Sequence, residues 1–408
     1  MGRIASVCPD VADPRVFVVM SERGPIGFSG TGIFCEEALM KLAGEAIERT
    51  AWASYLPENV VLDSHSSLKH HGCNVPDRRL LEVYSEDMLS RHDNILAEFD
   101  PEKVIAWIKC RSLLSRQDVL IPAQIMTPLY QKLEPKTRKR FWHSVSTGTA
   151  AHVDFRKALL KSIIECYEAD AFMLTWYTLR SPPLIDYTDS VIEDMLDVLI
   201  GTHSRSNVPT VNSLYLSLPH TSAHVILTLI VNEKSGYPFF SLGLGSDLNP
   251  VRATYHSILE AAAVYISSRA HLGTKLADYL SIRDHERLYD LRSNYLFYQK
   301  PENRGLSRHI VNSLVAGNRS IKLESLQDND LGNDSRNLVS LLRKLRRTSR
   351  YASFYDITTE HARRLGFCVT KVCIPELIPI CIPSVPCDRA PSVIEYGGIR
   401  NAYPHPLP

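Results

Sequence analysis

Apolar positions along the chain follow two rhythms. Short apolar or alternating runs at 15–20, 104–109, 119–124, 213–217, 223–232 and 239–245 predict strands, the last running into a glycine turn. A helical period predicts long helices over about Glu36–Tyr55, Asp154–Leu179 and Pro250–Arg269. Asn249 is the expected N-cap of the third, with Pro250 at its first position. A further helix contains 341–347; its basic side reads as a solvated face, with a peptide- or phosphate-contacting role as the alternative. Residues 318–334 read as a surface loop, and the last forty residues alternate strand and proline. No linker divides the pattern. The expectation is therefore one domain over 1–408 of α/β (mixed α+β) class, with mixed sheets covered by long helices.

A small glycine-bearing segment precedes each long helix: Gly30-Thr31-Gly32, Ser146-Thr147-Gly148 and Gly243-Leu244-Gly245. Read as loops, these let backbone N–H groups point at an anion. The helices that follow carry acids. Glu45 and Glu48 share a face at i, i+3, with Arg49 one turn from Glu45; Glu165 and Glu168 repeat the spacing, followed by Asp170; Glu260 lies in the third helix. Glu45, Glu165 and Glu260 stand among alanine, leucine and isoleucine, where a carboxylate is unfavourable unless paired or metal-bound. Four carboxylates on two helices suit Mg²⁺, which takes oxygen ligands and leaves positions for phosphates. For any single pair a solvated face or an internal salt bridge is the simpler account, and it is the repetition of the pair after a glycine segment that brings the metal–phosphate reading level with it. A di-iron bundle needs histidine at i+3 from a glutamate, and neither pair has one.

The chain closes Pro404-His405-Pro406-Leu407-Pro408. Proline fixes φ and removes a donor, so this tail is a stiff strip that loses little entropy on docking. An exposed proline-rich end is the plain alternative.

Composition narrows the class. Lysine plus arginine number 46 and aspartate plus glutamate 45, so bulk charge points to neither nucleic acid nor membrane. No apolar run reaches spanning length, and the start lacks the apolar core of a secretory signal. The nine scattered cysteines suit free thiols in a reducing, cytoplasmic setting. Cys368, Cys373, Cys381 and Cys387 read as buried strand cysteines, because their spacing matches no zinc knuckle. His70, His71, His143 and His152 show no ligand spacing and read as structural or exposed.

The ordered set Gly30-Thr-Gly32…Glu45-Ala-Ile-Glu48-Arg49, Ser146-Thr-Gly-Thr-Ala-Ala…Glu165-Cys-Tyr-Glu168-Ala-Asp170 and Gly243-Leu-Gly245…Asn249-Pro250…Glu260 resembles the signature of the YcaO family. The closing residues resemble the PxPxP tail of its azoline-forming cyclodehydratases, so the likeness spans about residue 15 to the end. The resemblance implies a YcaO-type fold and an ATP- and Mg²⁺-dependent enzyme that closes thiazoline or oxazoline rings on a ribosomal precursor peptide. By the same resemblance Glu45, Glu48, Glu165 and Glu168 hold Mg²⁺ and the triphosphate. Arg49, Ser146 and Glu260 complete the nucleotide site, and Pro408, placed by Pro404 and Pro406, supplies a catalytic carboxylate.

Several positions depart from the family pattern: Thr31, Lys41, Thr147, Ala169, Ala263 and Tyr265. Two cations of the phosphate clamp are thereby lost. Lys41 either restores one or pairs with Glu45. The resemblance further implies a hetero-oligomer, with a separate ThiF-like protein gripping the precursor leader and a flavin-dependent azoline dehydrogenase as a possible third member. Thioamide or macroamidine formation is the alternative within the family. A catalytically silent docking scaffold is the alternative outside it.

Overall fold

The structure, a computed structural model, describes residues 4–7, 14–23, 26–135, 139–200, 209–232, 237–274, 282, 285–316 and 319–407. Strands β1 (Ile4–Val7), β2 (Phe17–Arg23) and β3 (Ile26–Gly32) form an antiparallel sheet, and helix α1 (Cys35–Ser54) lies on β3. Next come β4 (Val60–Asp63), β5 (Ile105–Ser112), β6 (Asp118–Pro122) and β7 (Thr149–His152), followed by α2 (Phe155–Thr178). Then β8 (Leu184–Asp186), β9 (Thr210–Tyr215), β10 (His224–Val231) and β11 (Phe240–Asp247) lead into α3 (Pro250–Thr274). Helices α4 (Leu291–Tyr298) and α5 (Asp334–Leu345) and strands β12 (Ser320–Lys322), β13 (Ser353–Asp356) and β14 (Cys368–Cys373) complete the frame.

Among the described residues the strands make two further sheets. One has the order β11-β10-β9-β8-β12, antiparallel except where β12 runs parallel to β8. The other follows β4-β5-β13-β14-β7, with β6 also paired to β5. Strand β10, His-Val-Ile-Leu-Thr-Leu-Ile-Val, is buried at every position because both of its faces are covered. Helix α2 is buried over most of its length, capped by Asp154, whose carboxylate accepts from the N–H groups of Arg156 and Lys157. The cap expected for α3 is present: Asn249 Oδ1 accepts from Arg252 N–H at 3.0 Å. The mixed α/β class follows expectation, and the structure corrects several details.

Two of the three glycine segments are strands rather than loops. Gly30 and Gly32 lie within β3, and Gly243 and Gly245 within β11. A Cβ at Gly30 would stand 1.9 Å from Ala38 O of α1, and one at Gly243 would stand 2.1 Å from Ala261 N of α3. Missing side chains here let a helix lie directly on its strand. Strand β6 stops at Pro122 and residues 123–126 turn helical, so the strand expected through Gln124 is shorter. The segment 318–334 is less irregular than expected, since β12 pairs with β8 inside it. Cys368 and Cys373 lie in β14, whereas Cys381 and Cys387 are buried in loop, with sulfurs 3.6 Å apart. All eight described cysteines are free thiols.

Candidate active site

Helices α1, α2 and α3 bring their glutamates together, each seated by the strand or turn next to its helix. The carboxylate of Glu45 accepts the N–H and, at 3.2 Å, the hydroxyl of Ser29 in β3. Glu48 accepts from the N–H of Ala151 in β7. Glu165 accepts from the N–H of Gly148, Glu260 from the N–H of Leu244, and Glu168 bonds the Ser246 side chain. Two of the three glycine-bearing segments thus supply a backbone donor to an anion, Gly148 and Leu244, and the anion is a helix glutamate; at the first segment the donor is the preceding residue, Ser29.

The five carboxylates repel one another around a closed ring. Glu48 feels Glu45; Glu165 feels Glu48 and Glu168; Glu260 feels Glu168 and Glu45. Surrounding protein comes first and this repulsion second in raising Glu48 and Glu260 to about 8 and Glu165 well above the carboxylate range. Glu168 is raised to about 7 by its surroundings against the Ser246 bond. Glu260 is nevertheless solvent-exposed and the other four are half-buried, so the ring lines an open cleft walled by protein.

Cations stand around this cleft in unequal number. Arg49 is exposed and pairs with Glu45 (Nε–Oε1 2.8 Å). Lys161 acts on Glu48 from one turn before Glu165. Lys371 of β14 is 3% exposed; it attracts Glu165 and donates to the carbonyls of Val145 (2.7 Å) and Thr147 (2.6 Å). Burial lowers the Lys371 ammonium against the pull of Cys166 and Glu165.

Lys371 thereby grips both neighbours of Ser146. That residue is half-buried and begins a tight turn in which its carbonyl accepts from Thr149 N–H at 2.9 Å, with Gly148 at φ +81. Periodicity passes over Lys371; the available signal was a lone cation inside an apolar strand, Cys368-Val-Thr-Lys-Val-Cys373. Ser29 and Ser246 carried no comparable signal. A small apolar cavity of about 40 Å³ lies behind this turn, lined among others by Trp142, Thr147, Cys166 and Lys371, and none of the five glutamates lines it.

The non-consensus positions resolve individually. Lys41 pairs with Glu37 at 2.8 Å and not with Glu45; Glu37 in turn accepts from the Tyr255 hydroxyl of α3. The buried Tyr265 hydroxyl accepts from Asn232 Nδ2 at 3.0 Å, and Ala169 is buried in α2. Thr147 is buried, and its hydroxyl faces Ile380 N–H at 3.4 Å.

The tail is not an exposed end. Pro404, His405, Pro406 and Leu407 are buried against α2 and α4, while Pro408 lies outside the described residues. Trp176 Nε1 donates to Tyr403 O at 3.0 Å, the Tyr298 hydroxyl donates to Pro404 O, and His405 Nε2 meets Cys381 O at 2.9 Å.

The donor set fits a hard cation, because the ring presents carboxylate oxygens with little cationic compensation. Among the described residues no three His, Cys, Asp or Glu side chains close up tightly enough to hold a metal by themselves. Such spacing suits Mg²⁺ bound through one or two carboxylates together with phosphate oxygens.

Residues 29–378 match the sequence profile of a family described as YcaO cyclodehydratase, ATP- and Mg²⁺-binding. No curated protein sequence matches the chain. Among solved structures, a heterocyclase in complex with substrate and cofactor superposes with TM-score 0.75 at 17% identity. That likeness covers 100% of this chain but 54% of the heterocyclase, so the chain spans about half of its length. YcaO from Methanopyrus kandleri, bound with AMPPCP and Mg²⁺, gives TM-score 0.64 at 16% identity, over 95% of this chain and 87% of that one. The E. coli microcin synthetase McbBCD complex with pro-MccB17 bound gives TM-score 0.66 at 15% identity, over 99% and 96%. At these identities the structural likeness concerns the fold. No described helix is long and apolar enough to cross a membrane.

Proposed function

The chain belongs to the YcaO cyclodehydratase family, whose cofactors are ATP and Mg²⁺, and we propose that it closes azoline rings on a ribosomally made peptide. A cysteine, serine or threonine side chain of the substrate adds to the preceding amide carbonyl. Bound Mg²⁺–ATP supplies the phosphoryl group that turns the former amide oxygen into a leaving group, and loss of phosphate leaves thiazoline or oxazoline. The observation that carries the reading is the ring Glu45–Glu48–Glu165–Glu168–Glu260, five carboxylates under mutual repulsion in one open cleft.

Within that reading Glu48, Glu165 and Glu168 supply the carboxylates that would hold Mg²⁺, one or two to an ion, with phosphate oxygens completing its coordination. Glu45, engaged by Ser29 and Arg49, contributes as a hydrogen-bonded member of the set, and Glu260 closes the nucleotide side. Arg49 offsets charge at the rim, and Ser146 presents the turn held by Lys371. In the same reading Pro404 and Pro406 stiffen the tail and Pro408, outside the described residues, supplies the proton acceptor that ring closure requires.

The partners that fit are a precursor peptide, a ThiF-like leader-binding protein on a separate polypeptide and a flavin-dependent dehydrogenase oxidising azolines. The eight described free thiols suit a cytoplasmic setting.

Co-expression with a precursor peptide and ThiF-like protein, with and without Glu165→Ala, tests the reading by mass spectrometry. Loss of one water mass per modified site, abolished by the variant, is the expected result. Replacement of oxygen by sulfur would instead assign thioamidation, and an unmodified peptide in a stable complex would make the chain a scaffold.

A further inference from the structure

A second cleft, of about 560 Å³, opens over β5, β6 and β13, and none of the five glutamates lines it. Its volume lies in the range of ligand sites. Sheet register explains why it is open. Phe354 pairs with Val372 on one side and Arg111 on the other, and Arg111 pairs with Asp118, so these side chains share one face. Val372 belongs to the apolar cluster of Leu159 and Ile163 in α2, so this is the face that α2 covers. Helix α2 begins only at Phe155, whose ring meets Phe354 edge-on with centroids 5.8 Å apart. Beyond that contact the sheet runs on without a helix, and Arg111 is exposed.

The lining combines aromatic rings with cations. Phe155–Phe354 and Tyr55–Tyr355 are edge-to-face pairs, and all four rings are half-buried. Lys109 is paired with Asp118 at 3.2 Å, and Asp356 accepts from the N–H and hydroxyl of Thr358. Arg111 and Arg363 are exposed, and among the described residues neither has a carboxylate within ion-pair distance. Glu360, the acid nearest to Arg363 in sequence, pairs instead with Arg364 at 3.0 Å. A guanidinium takes a carboxylate through two parallel N–H bonds, and the rings beside it take an apolar neighbour. The ligand so described is an acidic residue next to an apolar or aromatic one.

Position selects its source. Tyr55 caps α1 seven residues after Glu48, and Phe155 opens α2 ten residues before Glu165. At about 1.5 Å per residue these are axial separations of about 10 and 15 Å. An extended peptide covers them in about three to five residues. We propose that this cleft binds an acidic residue of the precursor peptide, at least about three residues from the one that closes its ring, with Arg111 and Arg363 determining the specificity. This rests on the peptide-modifying reading given above. It gives the chain a substrate contact of its own, beside that of the leader-binding partner.

The test uses synthetic fluorescent peptides with Phe-Glu about four residues from a single cysteine, and the same peptides with Phe-Gln, titrated onto the full chain by polarisation. The Glu peptide should bind about tenfold tighter, the scale of one charge-assisted hydrogen bond, and Arg111→Ala with Arg363→Ala should remove the difference. In the ring-closing complex the same double variant should raise KM for a Glu-bearing precursor about tenfold, with kcat and KM for ATP unchanged. Equal binding of the two peptides, or a difference that survives in the double variant, would overturn the cleft. Displacement of the Glu peptide by an equal concentration of inorganic phosphate would also overturn it, as the mark of a general anion patch. Rings that close with unchanged KM in the double variant would overturn the precursor as its occupant. A wild-type complex that closes no rings while the Glu preference persists would instead overturn the ring-closing reading alone.

Discussion

Lys371 Nζ stands 2.6 Å from the carbonyl oxygen of Thr147 and 2.7 Å from that of Val145, so one buried ammonium pins the backbone on both sides of Ser146. The same charge faces Glu165, which ties the turn to the carboxylate ring. Lys371→Met retains the apolar stem but leaves two acceptors without their donor. It is expected to destabilise the fold by about 1–3 kcal/mol and to weaken Mg²⁺–ATP binding. Chemical denaturation and nucleotide titration of the same protein measure both effects.

The ring also predicts an inverted pH profile for the metal-free protein. Glu48 and Glu260 are raised to about 8 and Glu168 to about 7, from an ordinary value of 4.5. Between these limits the folded state holds protons that the unfolded state has released, so stability falls as pH rises from about 4.5 through about 8. It then levels off. Mg²⁺ binds the ionised carboxylates, so its stabilising effect should grow over the same window. Melting temperature against pH, with and without Mg²⁺, reports this; a Mg²⁺ effect independent of pH would contradict it.

Neutralising one member separates stability from function. Glu168→Gln keeps the shape of the side chain and its contact with Ser246 while removing a charge that acts on Glu165 and Glu260. The metal-free variant should melt at or above the wild-type temperature while ATP turnover is lost. Glu45→Ala should also abolish turnover, but without the gain in stability, because it strips Ser29 and Arg49 of their partner. Calorimetry and phosphate release distinguish the two.

Strand glycines set how closely the acidic helices approach. Alanine at Gly245 would put a methyl group 2.2 Å from Ala253 O and 2.4 Å from Ser257 N, both backbone atoms of α3. The helix must shift outward, and overpacking of this kind costs about 1–3 kcal/mol. Because Glu260 rides on α3, weaker ATP binding should accompany the lost stability. Gly44→Ala, where no atom would be met within 4 Å, is the matched control inside α1.

Local pattern made the three acidic helices legible. The i, i+3 spacing of Glu45 with Glu48 and of Glu165 with Glu168 sits within apolar helical periods, and Asn249-Pro250 marks a helix start through its own chemistry. The stiffness of 404–408 is equally local, since it resides in the proline rings.

Partner choice was decided in three dimensions. Lys41 lies four residues from both Glu37 and Glu45, and spacing cannot choose between them. Arg49 takes Glu45 and Tyr255 of another helix holds Glu37, so Lys41 joins Glu37. The glycines that looked like loops became strand positions because what they accommodate is a helix backbone, which lies outside their own sequence window. Burial of His405, its strip held by Asn294 from 111 residues away, and the grip of Lys371 on a turn 224 residues away likewise depend on contacts between distant segments. Side-chain spacing along one helix thus determined which carboxylates are neighbours. Packing of helices on strands determined which donors and cations those carboxylates meet, because hydrogen bonds and charges act over ångströms in space, whatever the separation in sequence.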